Sequence, residues 1–232
     1  MNHFLAFNAE ELSAIGLTLK VALWCSLITL PLAIAFGWLL ARKRFKGKLF
    51  LEAFFHLPLV LPPVTTGFIL LWFLGRNSFI GSFLYKTFGI QIAFSFSAAV
   101  LAAVVVSFPL VLRSVRTAIE MVDRKYEMAA RTLGAGRWRT FFTVTLPIAM
   151  PGVISGFILS FARCMGEFGA TITFAGNIAG ETQTLPLALF SYMQVPGEEY
   201  ASIRLAIISV IIAFIAMAAS ELINRKNRKQ LK

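Results

Sequence analysis

The chain has 232 residues, of which 58% are hydrophobic and only 14% are charged, and its mean hydropathy is +0.76. These values lie outside the range of soluble globular domains and indicate an integral membrane protein. The net charge of +11 would suit a nucleic-acid partner if the basic residues formed one patch. The distribution of the basic residues along the chain distinguishes such a patch from a membrane-topology signal.

Five apolar runs are near or above the roughly 17–25 residues that a helix needs to cross a bilayer. They are residues 13–41, 50–74, 96–112, 148–174 and 201–223. The pattern predicts an all-α integral membrane protein: a bundle of about five transmembrane helices in a single domain over residues 1–232. Glu10 and Glu11 precede a long apolar run, which argues against a cleaved signal peptide.

The basic residues concentrate in three segments, which hold 17 of the 22 lysines and arginines: residues 42–48, 113–139 and 225–232. The loops expected on the opposite side contain only Arg76 and Lys86. By the positive-inside rule, the N-terminus is expected outside and the C-terminus in the cytoplasm, together with residues 123–147. The charge thus reports membrane topology, and no nucleic-acid partner is expected.

A polar, basic island, residues 123–147, separates the third and fourth apolar runs. Asp123 is a good N-cap for a short helix over residues 125–133, and Gly134 supplies a left-handed stop. Ala129 and Ala130 keep one face of this helix narrow, so that another surface can approach its backbone. The island is either a docking surface or an ordinary amphipathic helix between two spans.

Prolines interrupt the second apolar run at Pro62 and Pro63, directly before Thr65 and Thr66. Each proline removes a backbone donor and leaves a carbonyl group unpaired at membrane depth, which is tolerated only against protein or water. The two threonines either satisfy these carbonyls in a kinked, packed helix or face a hydrated path.

The outer segments and the fourth run carry further signals. Residues 75–95, with two aromatic clusters, predict an interfacial element and not a span. Residues 185–195 are too short to cross and fit a re-entrant or surface hairpin. Gly152 and Gly156 favour a tight helix crossing, including one at a subunit interface.

Arg163 and Glu167 stand four residues apart in the fourth run, on one face of the predicted helix and in the outer half of the membrane. Ionisable residues inside a membrane often mark substrate pathways. The alternative is a mutually neutralised pair that pins two helices together.

No catalytic or metal site is predicted. The chain lacks the Gly-rich G-x-x-x-x-G-K-[ST] loop that cradles ATP phosphates. The histidines, His3 and His56, and the cysteines, Cys25 and Cys164, are scattered along the sequence without the spacing of metal ligands. Any process that this chain drives with ATP would therefore need another polypeptide to bind the nucleotide.

The string MAARTLG at residues 128–134, followed at the expected distance by the LP pair, resembles the EAA loop of ABC importer permeases. Met128 stands where that family usually has Glu, and Glu127 lies one position earlier. In the family this loop is the cytoplasmic coupling helix, which sits in a groove of the ATPase subunit. The ATPase-coupling residues implied here are Glu127, Met128, Ala129, Ala130, Gly134, Leu146 and Pro147.

The strings HLPLVLPPVTTG, ARCMGEFGATITFAGN and GETQTLP resemble the oxyanion branch of these permeases, especially its molybdate-transporting members. The resemblance implies a type I importer fold in the bacterial inner membrane. It also implies a homodimer, two ATPase subunits that use ATP and Mg, and a periplasmic molybdate-binding protein, with no cofactor bound by this chain. Sulfate, thiosulfate and tungstate remain alternative substrates, and a membrane-embedded enzyme or a passive channel would be a different class. The candidate pathway residues are Pro62, Pro63, Thr65, Thr66, Arg163 and Glu167.

Overall fold

The computed structural model describes residues 8–230, except for the side chains of residues 219–221 and 223–230. His3 and the last basic residue, Lys232, lie outside the described residues. All regular elements in this range are helical. They are α1 (Ala9–Arg42), α2 (Lys48–Val60), α3 (Pro63–Leu74), α4 (Phe79–Phe88), α5 (Phe96–Glu120), α6 (Arg124–Thr132), α7 (Arg137–Thr140), a π-helical turn (Phe141–Thr145), α8 (Leu146–Met165), α9 (Gly169–Phe174), α10 (Leu185–Tyr192) and α11 (Glu199–Gln230).

Within the described residues, four helical segments are long and apolar enough to cross a membrane. A fifth span is obtained when α2 and α3, which are bent by 115° relative to each other, are taken together. The predicted all-α bundle is confirmed. The second predicted span, however, is a broken pair of helices, because Pro62 and Pro63 interrupt the backbone hydrogen bonding between them.

The centre of the bundle consists of α1, α5 and α8, which pack closely through small residues. Ala22 on α1 and Ala102 on α5 are completely buried. The tight crossing expected at Gly152 and Gly156 joins α8 to α5 of the same chain: the Ser114 hydroxyl donates to the Gly152 carbonyl at 3.1 Å. Small residues allow this close approach, which suits helices that have no hydrophobic driving force between them in lipid.

The fourth predicted span differs from the observed helix at both ends. Helical structure begins at Arg137, before Pro147, and passes through the π turn, where the Leu146 N–H bonds to the carbonyl of Phe141. This wider turn accommodates a proline ring that lacks an N–H donor. At the other end, α8 stops at Met165, and Gly169 begins the separate helix α9. The prediction of one helix over residues 148–174 is therefore wrong.

Two short helices do not span. Helix α4 has only 10 residues and exposes large aromatic side chains such as Phe79 and Phe83, in agreement with the prediction that this segment is not a span. Helix α10 packs on α1 and α11, and its Leu185 N–H donates to the Thr18 hydroxyl at 2.7 Å. Residues 185–192 are thus a packed element and not only a surface hairpin.

Candidate functional site

Helix α6 forms between the N-cap and the glycine stop that the sequence predicts. Asp123 caps its N-terminus by accepting a hydrogen bond from the Lys125 N–H at 2.9 Å. Gly134 follows its end with a φ of +85°, a backbone conformation that glycine adopts without steric cost. The Ala135 N–H then closes the turn on the Ala130 carbonyl at 3.0 Å. The predicted cap, helix and stop are confirmed to within one residue.

The carboxylate of Glu127 points into the protein, and the residue is only 8% exposed. It accepts from Arg42 Nε at 2.9 Å and from the Thr145 hydroxyl at 2.8 Å. Arg42 also donates to the Val122 carbonyl at 2.8 Å. An isolated nine-residue helix is marginal in water, so this buried ion pair anchors α6 to α1 and to the π turn.

The remaining residues that the sequence predicts for ATPase coupling differ in their exposure. Met128 and Ala129 are exposed on α6, and Ala130 is half-buried. Leu146 packs partly into the core formed by α1, α5 and α8, whereas Pro147 is exposed. The structure therefore joins Glu127 to Thr145, directly before Leu146, and leaves Met128, Ala129 and Pro147 exposed.

The broken helices meet at a second site, where α3 packs against α9. Gly67 lies so close to α9 that a Cβ atom there would stand 2.6 Å from the Ala170 carbonyl oxygen and would clash with the side chain of Thr173. A Cβ atom on Gly169 would lie 2.8 Å from Cβ of Pro63. The two glycines make this junction possible because any side chain would force the helices apart.

The predicted pathway residues on α3 have different environments. Pro62, Pro63 and Thr65 are exposed at the bend, whereas Thr66 is 4% exposed. The Thr66 hydroxyl has no hydrogen-bond partner among the described residues. Thr65 is thus accessible in the isolated chain, and Thr66 belongs to the packed side of the helix.

Arg163 and Glu167 form an ion pair, but not on one helix face as expected. Arg163 lies near the end of α8, and Glu167 lies in the break before α9. One guanidinium nitrogen of Arg163 is 2.8 Å from Glu167 Oε2, and the other carboxylate oxygen accepts from the Ala170 N–H at 3.0 Å. The Glu167 side chain is 3% exposed and that of Arg163 is 32% exposed, so the arginine is the accessible member of the pair in the isolated chain.

The sequence did not predict a buried polar cluster that joins α1, α5 and α8. Four of its members form two pairs, and the residues of each pair stand four positions apart on one helix. Cys25 and Thr29 lie on α1, and Ser160 and Cys164 lie on α8. The two free cysteines, scattered in the sequence, have their sulfurs 2.7 Å apart. Ser107 of α5 completes the cluster with its hydroxyl 3.2 Å from the Cys25 sulfur.

A second pair that sequence spacing could not reveal joins Glu11 of α1 to Arg204 of α11, and both residues are buried. They are 193 residues apart in the chain. No group of three metal-ligating side chains occurs within the described part of the chain.

Comparison with known proteins shows to which protein family this chain belongs. Residues 33–229 match the family described as binding-protein-dependent transport system inner membrane component. This match covers most of the chain, and the chain belongs to that family: it is a membrane permease subunit of the ABC transporter class.

Among its relatives are two proteins named molybdenum transport system permease protein ModB. The one from Haemophilus influenzae is 53% identical over 221 residues, and the one from Escherichia coli strain K12 is 54% identical over 220. Each alignment covers 95% of this chain and 96% of the relative. The sulfate transport system permease protein CysT of Escherichia coli is 37% identical over 206 residues, which cover 89% of this chain and 73% of that protein.

Solved structures share the fold at lower identity. A bacterial ABC transporter involved in alginate import matches with a TM-score of 0.71 and 15% identity, over 97% of this chain and 82% of that one. An amino acid ABC transporter matches with a TM-score of 0.64 and 22% identity, over 94% of each chain. The resemblance to ABC importer permeases is therefore confirmed for both sequence and fold.

Proposed function

We propose that this chain is the membrane-spanning subunit of an ATP-driven molybdate importer. The observation that carries the proposal is α6, a short exposed helix held at the end of the bundle by the buried Arg42–Glu127 ion pair. Such a helix can receive force from another subunit and pass it directly to α1. The two relatives named molybdenum transport system permease support molybdate as the substrate.

The arrangement in the membrane follows from the charges. We place the basic end of the bundle, which contains Arg42 and α6, in the cytoplasm of a bacterium and the N-terminus in the periplasm. Two copies of the chain enclose the path, two ATPase subunits bind ATP and Mg, and a periplasmic molybdate-binding protein delivers the substrate. Nucleotide binding then shifts the population between outward-facing and inward-facing states.

The substrate path runs past the junction of α3 and α9. Thr65 is exposed at the bend, and the half-exposed Arg163 offers a positive charge to a tetrahedral dianion. Glu167 holds this guanidinium in place at 2.8 Å and cancels part of its charge. The attraction is then weaker than that of an unpaired arginine, so that the anion is released as well as captured.

The second candidate is a sulfate importer, favoured by the 37% identity to the sulfate permease. Molybdate and sulfate have the same charge and tetrahedral shape, so an arginine in the path serves either one. Thiosulfate and tungstate belong to the same chemical class.

The test is uptake into proteoliposomes that contain this chain, its ATPase and its binding protein, with molybdate as substrate and sulfate or tungstate as competitors. We expect ATP-dependent molybdate uptake that sulfate inhibits only weakly. Uptake without ATP would contradict the importer function, and stronger inhibition by sulfate would favour the second candidate. Replacing Arg163 with Ala should weaken uptake, and full activity would leave the pair with a structural role only.

A further inference from the structure

A cavity of about 310 Å³ lies at the basic end of the bundle, between the end of α1 and the segment formed by α6, α7 and the π turn. A water molecule occupies about 30 Å³ in the liquid, so the cavity has room for a small hydrated ion. None of the predicted pathway residues lines it, and it is separate from the α3–α9 junction.

Basic side chains dominate the lining of this cavity. Arg42 is neutralised by Glu127, the single acidic residue in the lining. Four cations remain, and no carboxylate of the described residues lies within ion-pair distance of any of them. They are Lys43 of α1, Arg124 and Arg131 of α6, and Arg137 of α7. Four like charges around one cavity repel each other, and a bound anion would reduce that repulsion.

The geometry of these groups points to one chemistry. Arginine presents a planar fork of donors that matches the oxygens of a phosphate-like group, and three of the four cations are arginines. Trp38 and Phe141 form the apolar wall, and the Lys43 ammonium lies 5.8 Å from the centre of the Trp38 ring. Trp38 also stacks on Trp138, which is 68% exposed, at a ring distance of 5.8 Å.

We propose that this cavity binds a tetrahedral oxyanion with two or more oxygens free to accept hydrogen bonds. Two sources share this chemistry: the phosphoryl headgroup of an anionic phospholipid and a free oxyanion from solution. The exposed tryptophan beside a basic cavity is typical of the level of lipid headgroups. The bound anion bridges Lys43 on α1 to the arginines of α6 and α7, and so strengthens the attachment that Glu127 begins.

The experiment compares two double variants that remove the same charge. Lys43→Gln/Arg137→Gln takes two cations out of the cavity, whereas Arg44→Gln/Arg139→Gln removes two nearby cations that do not line it. The full chain is placed in phosphatidylcholine nanodiscs, with and without its ATPase partner. One arm titrates inorganic phosphate and sulfate and records the melting temperature; the other adds phosphatidylglycerol and counts retained lipids by native mass spectrometry.

We expect the unaltered chain and the Arg44→Gln/Arg139→Gln variant to respond alike, and the Lys43→Gln/Arg137→Gln variant to bind the anion about tenfold or more weakly, as the loss of two charge-assisted contacts implies. Stabilisation by phosphate or sulfate identifies a free oxyanion, and retained phosphatidylglycerol identifies a lipid. Equal behaviour of both variants in both arms would overturn the proposal. So would a difference seen only in the presence of the ATPase, because the cavity would then be part of the docking surface for that subunit.

These outcomes do not depend on which substrate the transporter carries. Failure of molybdate uptake would leave the anion-binding result intact, and failure of anion binding would leave the proposed function intact.

Discussion

Two regions of the molecule are held in place by different interactions. They are the predicted coupling segment (residues 123–147, called the coupling segment below) and the junction between α3 and α9. The coupling segment is exposed and is held by a cap, a glycine stop and one buried ion pair. The junction is packed so closely that two glycines on different helices have no room for a Cβ atom. Polar bonding therefore positions the first region, and steric fit positions the second.

The two regions therefore tolerate different side-chain substitutions. Larger side chains on the exposed face of α6 should meet no steric clash. Removal of the buried Glu127 carboxylate, in contrast, should strongly destabilise the protein. At the junction the opposite holds, because a single methyl group is already too large. Four pairs of matched variants test this contrast.

The largest effect is expected for Glu127→Ala. It leaves Arg42 buried without its counter-ion and the Thr145 hydroxyl without its acceptor. Breaking such a buried pair costs about 3 kcal/mol or more, so the melting temperature and ATP-driven uptake should both fall sharply. The control is Glu120→Ala, which removes a more exposed partner of Arg116 and should cost less than about 1 kcal/mol. Equal losses in the two variants would contradict the anchoring role of Glu127.

Gly67→Ala should follow, with a loss of about 1–3 kcal/mol from overpacking against Ala170 and Thr173. Gly16→Ala is the control, because a Cβ atom on that helical glycine meets nothing within 4 Å. It should leave stability unchanged or raise it slightly. Thermal unfolding of the purified protein in detergent or nanodiscs measures both variants. A stable Gly67→Ala protein would show that α3 and α9 separate easily.

Gly134→Val should cost about 1–2 kcal/mol, because valine is strained at a φ of +85°. Gly136→Val lies two residues away at a φ of −65° and should be tolerated, since neither position has a neighbour within 4 Å. We expect the first variant to insert into the membrane and lose ATP-linked uptake, and the second to transport normally. Normal uptake by Gly134→Val would refute the role of this turn in coupling.

The smallest effect on stability, within about 1 kcal/mol, is expected for the two threonines of α3. Thr66→Val replaces a buried hydroxyl that has no partner among the described residues and should leave both folding and uptake intact. Thr65→Val should raise the KM for uptake about fivefold, the worth of one lost hydrogen bond. If Thr66→Val impaired uptake equally, the buried hydroxyl would have to reach the path in another state.

The sequence predicted the coupling segment better than the junction because its determinants are local. A capping Asp123, a short helix and Gly134 occur within a dozen residues, and each acts on its immediate neighbours. The predicted helix was correct to within one residue. The inward direction of Glu127 was not predictable, because its partner Arg42 lies 85 residues away.

The broken helices show that hydropathy alone does not predict where a helix is interrupted within an apolar run. Residues 148–174 are mostly apolar despite Arg163 and Glu167, so their hydropathy predicts one helix. At the break the chain turns so that α9 packs on α3, where a Cβ atom on Gly169 would lie 2.8 Å from Cβ of Pro63. The close approach of Cys25 and Cys164 likewise depends on how α1 meets α8, although their i, i+4 neighbours Thr29 and Ser160 were visible in the sequence.

By itself, the sequence determined that this protein is an all-helical membrane protein with a basic end and a short polar helix, since hydropathy, charge and capping act over a few residues. The permease class followed from the resemblance of its motifs to those of a known family. The tertiary structure alone decided which polar groups meet: Glu127 with Arg42, Glu11 with Arg204, and the two cysteines with each other. These contacts join residues far apart in the chain, and only the packing of the helices, governed by small side chains, brings them within bonding distance.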